Sequence, residues 1–155
     1  MIQPNLSDAR IFNYQFDVSI ACPPSRVWAL MIENINAWWM NDFRCLGEDS
    51  VLSLEAAPGG QLLETSSDGR VLEWYRVQMC EPGKALYLVG YLAPDWGGPT
   101  LSMLKLLIEQ QDTACALQVS DAMMGNVTKS SIQSVSDGWR KLFGEALREY
   151  AEAHA

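Results

Sequence analysis

The chain ends in a long amphipathic segment, from about Thr128 to Ala153, which follows a stretch patterned mostly as strands. Its apolar positions repeat every three or four residues, the spacing that places side chains on one face of a helix. They are Ile132, Val135, Trp139, Leu142, Phe143, Ala146, Leu147 and Tyr150. Such a face needs a concave apolar partner. The order of elements therefore predicts an α+β protein in which a curved antiparallel sheet wraps around one C-terminal helix.

Upstream of that helix, alternating apolar and polar residues predict seven strands. The first runs from Arg10 to Ala21, and Pro23 and Pro24 end it. Because proline suits the first turn of a helix, a short helix is predicted over Ser25 to Ile32, and a second helical turn carries Ile35, Trp38 and Trp39. Gly, Pro and Asp turns separate the other six strands: Val51–Ala56, Gln61–Thr65, Val71–Met79, Ala85–Leu92, Thr100–Gln110 and Ala114–Met123.

Polar positions within a strand indicate which side chains face the helix, since successive residues alternate between faces. In three strands we place the polar residues in solvent, and the residues that alternate with them then face inward. These inner residues are Glu73, Tyr75, Val77 and Met79; Leu104, Leu106 and Ile108; and Leu117, Val119 and Asp121. The strand with Tyr87, Val89 and Tyr91 is apolar on both sides. That trio faces either the core or a partner.

Length and charge limit the protein's class and its partners. With 155 residues the chain is expected to form a single domain over 1–155. The net charge of −8 and the pI near 4.5 disfavour nucleic acid and anionic lipid surfaces as partners. No apolar run is long enough to insert into a membrane, and no leader pattern precedes the first strand, so a cytoplasmic protein is expected.

The cysteines and the histidine give little support to metal or thiol chemistry. Cys22, Cys45, Cys80 and Cys115 lie far apart in the sequence, without the paired spacing of zinc sites or dithiol motifs. The single histidine, His154, is a poor base for a catalytic cysteine because it is the penultimate residue. We therefore predict no metal site and no cofactor.

Several motifs, taken in order, resemble the START-like superfamily, also called SRPBCC or helix-grip, over nearly the whole chain. Segment 22–28 is similar to the family's small-Pro-x-x-x-Val-Trp entry to the first helix, and Trp38-Trp39 is similar to its paired tryptophan. Segment 59–64 resembles the Gly-Gly-Arg-x-x-Glu strand, and Gly138-Trp139 resembles the Gly-Trp of the closing helix. The branch most resembled contains chaperone-ATPase activators and polyketide-cyclase-like proteins, which implies a seven-stranded helix-grip fold with a cavity.

Two departures from the family's pattern bear on that cavity. Tyr75 occupies a position where the family often has glycine, so its ring is expected to narrow the space available to a ligand. Gln61 replaces the usual arginine, which removes one charge partner for Glu64. Gly138, in mid-helix, costs roughly 1 kcal/mol relative to alanine, which indicates close packing against a bulky side chain or a bound molecule.

No catalytic triad is indicated, but three acids, Glu64, Glu73 and Asp121, are candidates for proton transfer if they point inward. Burial raises the pKa of a carboxyl group, as a general acid or base at neutral pH requires. The alternative is that each acid lies at a strand end or pairs with a nearby Arg or Lys. Two loops each have two interpretations that the sequence does not distinguish. The loop with Trp96 forms a lid or a simple turn, and the loop with Met123-Met124 forms a gate or a plug.

The first hypothesis for function is binding of a small hydrophobic or amphipathic ligand, of a lipid or polyketide-like kind, as a carrier or sensor. The residues expected to line its cavity are Trp39, Glu64, Tyr75, Leu104, Leu106, Leu117, Val119, Val135, Trp139 and Phe143. A second hypothesis is a cyclase- or hydrolase-like enzyme that uses one of the acids. The third is a protein-binding module, such as a chaperone-ATPase regulator or a homodimer, that uses Tyr87, Val89 and Tyr91 on the outer face of the sheet.

Overall fold

The structure is a computed structural model that describes residues 4–155. It contains seven strands: β1 (Arg10–Ile20), β2 (Val51–Leu54), β3 (Gln61–Thr65), β4 (Val71–Glu81), β5 (Ala85–Leu92), β6 (Thr100–Gln111) and β7 (Ala114–Gly125). The helices are α1 (Pro24–Glu33), α2 (Ile35–Trp38), α3 (Lys129–Lys141) and α4 (Arg148–Ala153). Single 3₁₀ turns lie at Asn41–Phe43 and Pro94–Trp96.

The seven strands form one antiparallel sheet in the order β1-β7-β6-β5-β4-β3-β2. Strands β2 to β7 are neighbours in the order of the sequence, whereas β1 pairs with β7. After β1 the chain passes through α1 and α2 and enters the sheet again with β2 at the opposite edge. The predicted fold class is therefore confirmed. Strand β2 is shorter than predicted, since a turn with hydrogen bonds from Ala57 N to Glu55 O and from Gly60 N to Ala57 O replaces its last two residues.

The closing helix begins where the sequence predicts, with Thr128 as the N-cap residue that precedes α3. The Thr128 hydroxyl accepts a hydrogen bond from the Ser131 backbone N–H, and the Ser131 hydroxyl bonds back to the Thr128 N–H. This reciprocal pair satisfies two backbone donors that a helix start leaves free. A wider π-helical stretch at Leu142–Leu147 joins α3 to α4. The buried side chains of the whole helix are Trp139, Leu142, Phe143, Leu147 and Ala151.

In strands β6 and β7 the side chains predicted to face inward do so. Lys105 pairs with Ser120 on the outer face, and Leu104 pairs with Asp121 on the inner face. The predicted inner positions of both strands are at most 4% exposed. Asp121 is therefore a buried acid in an otherwise apolar row.

Strand β4 departs from simple alternation at two bulges. One lies opposite Leu62 and Leu63, so that Leu62 pairs with Tyr75 whereas Leu63 pairs with Glu73. Because paired residues share a face, Trp74 is the extra residue and Glu73 is turned outward. The prediction that Glu73 faces inward is wrong for this reason.

The second bulge lies between Val77 and Met79. Val77 pairs with buried Leu88, whereas Met79 pairs with Tyr87 on the outer face. Met79 is therefore also an outer residue, contrary to prediction. The trio Tyr87, Val89 and Tyr91 lies outside, while Leu86, Leu88 and Gly90 face the core.

Candidate functional site

A cavity of about 320 Å³ lies between the inner face of the sheet and helix α3. Strands β4 to β7 form its floor, α3 forms one wall, and the loops with Phe43 and Trp96 border its mouth. Most of its walls are apolar: Phe43, Leu72, Trp74, Tyr75, Leu92, Trp96, Met123, Val135 and Trp139. The volume falls at the lower end of the usual range for small-molecule sites, about 300–1,000 Å³.

Two glycines make room for this cavity and its aromatic walls. A Cβ atom at Gly90 would lie 2.5 Å from the Trp74 carbonyl oxygen and 2.8 Å from the Tyr75 ring. At Gly138 a Cβ atom would lie 3.1 Å from Cε1 of Phe43. Gly90 thus accommodates the Tyr75 ring, and Gly138 allows Phe43 to pack against α3.

Four side chains form a buried polar network at the floor of the cavity. The Ser102 hydroxyl donates to Oδ1 of Asp121 at 2.8 Å, and the Trp139 indole N–H donates to Oδ2 at 3.0 Å. The Tyr75 hydroxyl lies 2.7 Å from that of Ser102. Asp121 itself is only 2% exposed. We call these four residues the Asp121 network.

Burial raises the pKa of Asp121 above its ordinary value of 3.8, although hydrogen bonds from Ser102, Trp139 and the Ala122 backbone partly offset the effect. Burial also raises the pKa of Tyr75 and of Tyr14, which pairs with Asp121 across β1 and β7, and the nearby Asp121 charge adds to both shifts. None of the three salt bridges formed within residues 4–155 involves Asp121. Within these residues the Asp121 carboxylate therefore accepts side-chain hydrogen bonds from neutral donors only.

This shift predicts how stability depends on pH. Because the folded pKa of Asp121 is raised, the folded state binds the proton more tightly than the unfolded state does. We expect the free energy of unfolding, relative to that of Asp121→Asn, to fall as pH rises from 3.8 through the folded pKa. The fall should be about 1.4 kcal/mol for each unit of the shift. Urea unfolding of both proteins across this range measures it, and a constant difference would contradict it.

Glu64 is an inner acid with a different role. It is fully buried, and its carboxylate accepts hydrogen bonds from the backbone N–H groups of Cys45 and Leu46, the Ser50 hydroxyl and the Trp74 indole at 2.7 to 3.0 Å. Burial by itself raises the pKa of Glu64, but these four donors outweigh burial and lower it. The geometry suits an ionised carboxylate that fastens loop 43–50 to the sheet.

Glu73 borders the cavity, but its carboxylate accepts hydrogen bonds from Gln61 at 2.6 Å and from Arg76 at 2.8 Å. These bonds lower the pKa of Glu73. Of the three predicted acids, Asp121 alone combines a place in the cavity wall with a raised pKa. No group of three or more His, Cys, Asp or Glu side chains within residues 4–155 is placed to hold a metal ion.

Solved structures share this architecture at low sequence identity. An uncharacterised protein from Rhizobium leguminosarum is 15% identical and superposes with a TM-score of 0.72, over 94% of this chain and 97% of its own. Ara h 8.0201 is 13% identical, with a TM-score of 0.67 over 93% of this chain and 99% of its own. The chain has the helix-grip fold.

DynU16, a protein of the dynemicin biosynthetic locus, is 20% identical with a TM-score of 0.68. The match covers 92% of this chain and 48% of DynU16. No family model matches the sequence, and no curated protein matches it at a significant level. The likeness to these structures is therefore one of fold.

Three of the residues predicted to line a cavity, Tyr75, Val135 and Trp139, line the helix-grip cavity. Four others, Trp39, Leu104, Leu106 and Phe143, border a void of about 20 Å³ in the packed core instead. Leu117 and Val119 are fully buried core residues outside both spaces, as is Glu64. The prediction placed the cavity too far along the helix, because α2 and the tryptophan pair fill the end that it assigned to a ligand.

Five further residues line the cavity without having been predicted from the sequence: Phe43, Leu72, Gly90, Leu92 and Ser102. Ser102 and Gly90 did carry a signal, since each interrupts the inner apolar row of a strand. Trp96 is 56% exposed and borders the mouth, which keeps the lid hypothesis open. Met123 is buried in the wall, whereas Met124 is 48% exposed on the opposite face.

The outer face of the sheet has apolar residues at one end. Register places Ile11 beside Met124, Met124 beside Leu101, and Leu101 beside Tyr91. Ile11 and Tyr91 are each 70% exposed. Binding of a protein partner through this face stays a prediction. Within residues 4–155 no helix has both the length and the apolar character for crossing a bilayer.

Proposed function

We propose that this protein binds a small, mainly apolar molecule in the cavity beneath helix α3. The observation that supports the proposal best is the pairing of an apolar, partly aromatic wall with the Asp121 network at its floor. Burial of a ligand's apolar surface contributes roughly 25 cal/mol per Å² before the costs of association are subtracted. A few converging polar groups then fix the ligand's orientation. A carrier or a sensor needs both properties.

The test is to fill the cavity with a larger side chain on helix α3. We expect Val135→Trp to abolish the rise in melting temperature that a panel of naphthalene- and sterol-based compounds produces with the wild type, because the new ring occupies the ligand's space. The matched control is Gln133→Trp, which adds the same bulk at an exposed position of the same helix. Calorimetric titration with the best compound checks the result. Equal binding by both variants, or no binding by the wild type, would contradict the proposal.

An enzymatic function in the cyclase- or hydrolase-like class is the second candidate, and Asp121 is the residue that favours it. A buried carboxyl with a raised pKa at a cavity wall can accept a proton from a bound molecule near neutral pH. Ser102 and Tyr75 extend the same chain of hydrogen bonds. Under this hypothesis Asp121→Asn removes turnover of a ligand while its binding persists, whereas Glu64 acts only through the fold.

A further inference from the structure

The Asp121 network has a direction, because each of its hydrogen atoms can be assigned. The Trp139 indole can only donate, and it donates to Asp121. The single hydroxyl proton of Ser102 is also used on Asp121, so Tyr75 must donate its own proton to Ser102. With the carboxylate ionised, every proton points toward Asp121. The capacity that remains at the cavity floor consists of oxygen lone pairs, which accept hydrogen bonds.

The charges around the cavity have the same sign. Among residues 4–155 its lining contains no Lys, Arg or His; it includes Asp121 and, at its edge, Glu73, whose carboxylate is turned to the outer face of the sheet. Glu73 is paired with Arg76, whereas Asp121 has only neutral partners among the residues that the structure describes. A ligand carboxylate beside Asp121 would therefore meet an uncompensated like charge in a poorly hydrated space. A ligand cation would instead supply the missing countercharge.

The aromatic wall favours the same kind of ligand. Trp74, Trp96, Trp139, Tyr75 and Phe43 all contribute to the cavity lining. Aromatic ring faces attract cations, and the attraction increases when water is excluded. The net charge of −8 adds a long-range attraction for cations in the surrounding solution.

We propose that the cavity selects an amphipathic ligand with an apolar, ring-sized body and a hydrogen-bond donor, preferably a protonated amine, directed at Asp121. This inference rests on the proposed function and adds the chemical class of the ligand. The amine N–H groups bond to the open lone pairs of Asp121, Ser102 or Tyr75, while the aromatic wall encloses the apolar body. Fatty acids and other carboxylate ligands are disfavoured.

Three probes with one skeleton test this selection: 2-naphthylmethylamine, 2-naphthylmethanol and 2-naphthoate. Calorimetric titration at pH 7.5 and low ionic strength gives their dissociation constants. We expect the amine to bind at least about tenfold more tightly than the carboxylate, with the alcohol between them. In Asp121→Asn the ratio should fall to about threefold or less. Asp17→Asn, the control, makes the same change of charge at an exposed position and should keep the wild-type ratio.

A second variant covers the case in which Asp121→Asn fails to fold. Trp139→Phe keeps an aromatic ring at this position but removes one of the donors to Asp121, so the preference for the amine should rise above that of the wild type. Equal affinities for all three probes, or tightest binding of the carboxylate, would overturn the inference and leave the proposed function intact. Binding of none of the probes by the wild type would overturn both.

Discussion

Replacement of Glu64 by alanine is expected to destabilise the protein by about 3–5 kcal/mol, because it leaves buried donors without an acceptor. The donors are the backbone N–H groups of Cys45 and Leu46, the Ser50 hydroxyl and the Trp74 indole. All of them converge on a carboxylate with no solvent exposure. Urea unfolding of the wild type and the variant gives the difference in free energy.

The matched control is Glu73→Gln in the neighbouring strand. Its carboxylate pairs with Arg76, whose side chain is 58% exposed, and pairs of this kind contribute at most about 1 kcal/mol. A loss at Glu64→Ala no larger than that at Glu73→Gln would show that loop 43–50 is held by other contacts. Because Phe43 and Cys45 of this loop line the cavity, we also expect Glu64→Ala to weaken ligand binding.

Trp139→Ala is expected to cost about 3–5 kcal/mol, the usual range for truncation of a large buried aromatic residue. The Trp139 ring lies 5.6 Å from that of Phe143 and 6.1 Å from that of Tyr75, measured between centroids. The variant also leaves Oδ2 of Asp121 without its indole donor. Trp139→Phe helps to separate the two contributions, since it keeps an aromatic ring in the core while it removes the N–H donor.

Trp96→Ala serves as the control for Trp139, as Trp96 borders the same cavity but is 56% exposed. We expect it to change the free energy of unfolding by less than about 1 kcal/mol while it lowers ligand affinity. Thermal unfolding and calorimetric titration of the variants give both quantities. Similar losses of stability in Trp139→Ala and Trp96→Ala would show that Trp139 is not part of the core that supports the cavity.

The sequence predicted the fold well because two periodicities, two residues for strands and about 3.6 for the helix, carry most of that information. Asp121 is an example at the level of one residue. With Gln118 and Ser120 assigned to solvent, alternation alone places Asp121 on the inner face, and the structure confirms it. The start of the closing helix, predicted at about Thr128, is likewise confirmed, since Thr128 is its N-cap.

The parts that were not predicted depend on contacts between distant segments. The bulge at Trp74 turns Glu73 outward, and no pattern in β4 signals the position of that extra residue. The Glu64 carboxylate accepts two of its hydrogen bonds from backbone N–H groups of the loop. Every residue except proline has such a group, so the sequence does not reveal which of them will reach Glu64. The cavity lies where the side chains of distant segments do not fill the space between the sheet and the helix. The sequence therefore does not distinguish Leu117 and Val119, which are buried in the core, from residues that line the cavity.

The bulge in β4 also bears on how the cavity can change. Because Trp74 is the unpaired residue, a chain shortened by Trp74 alone can keep Leu62 opposite Tyr75 and Leu63 opposite Glu73. Such a deletion removes one aromatic wall and one donor to Glu64 without a shift of register elsewhere. Deletion at this single position therefore offers evolution a route to a new cavity shape that keeps the other strand pairs of β3 and β4 in register.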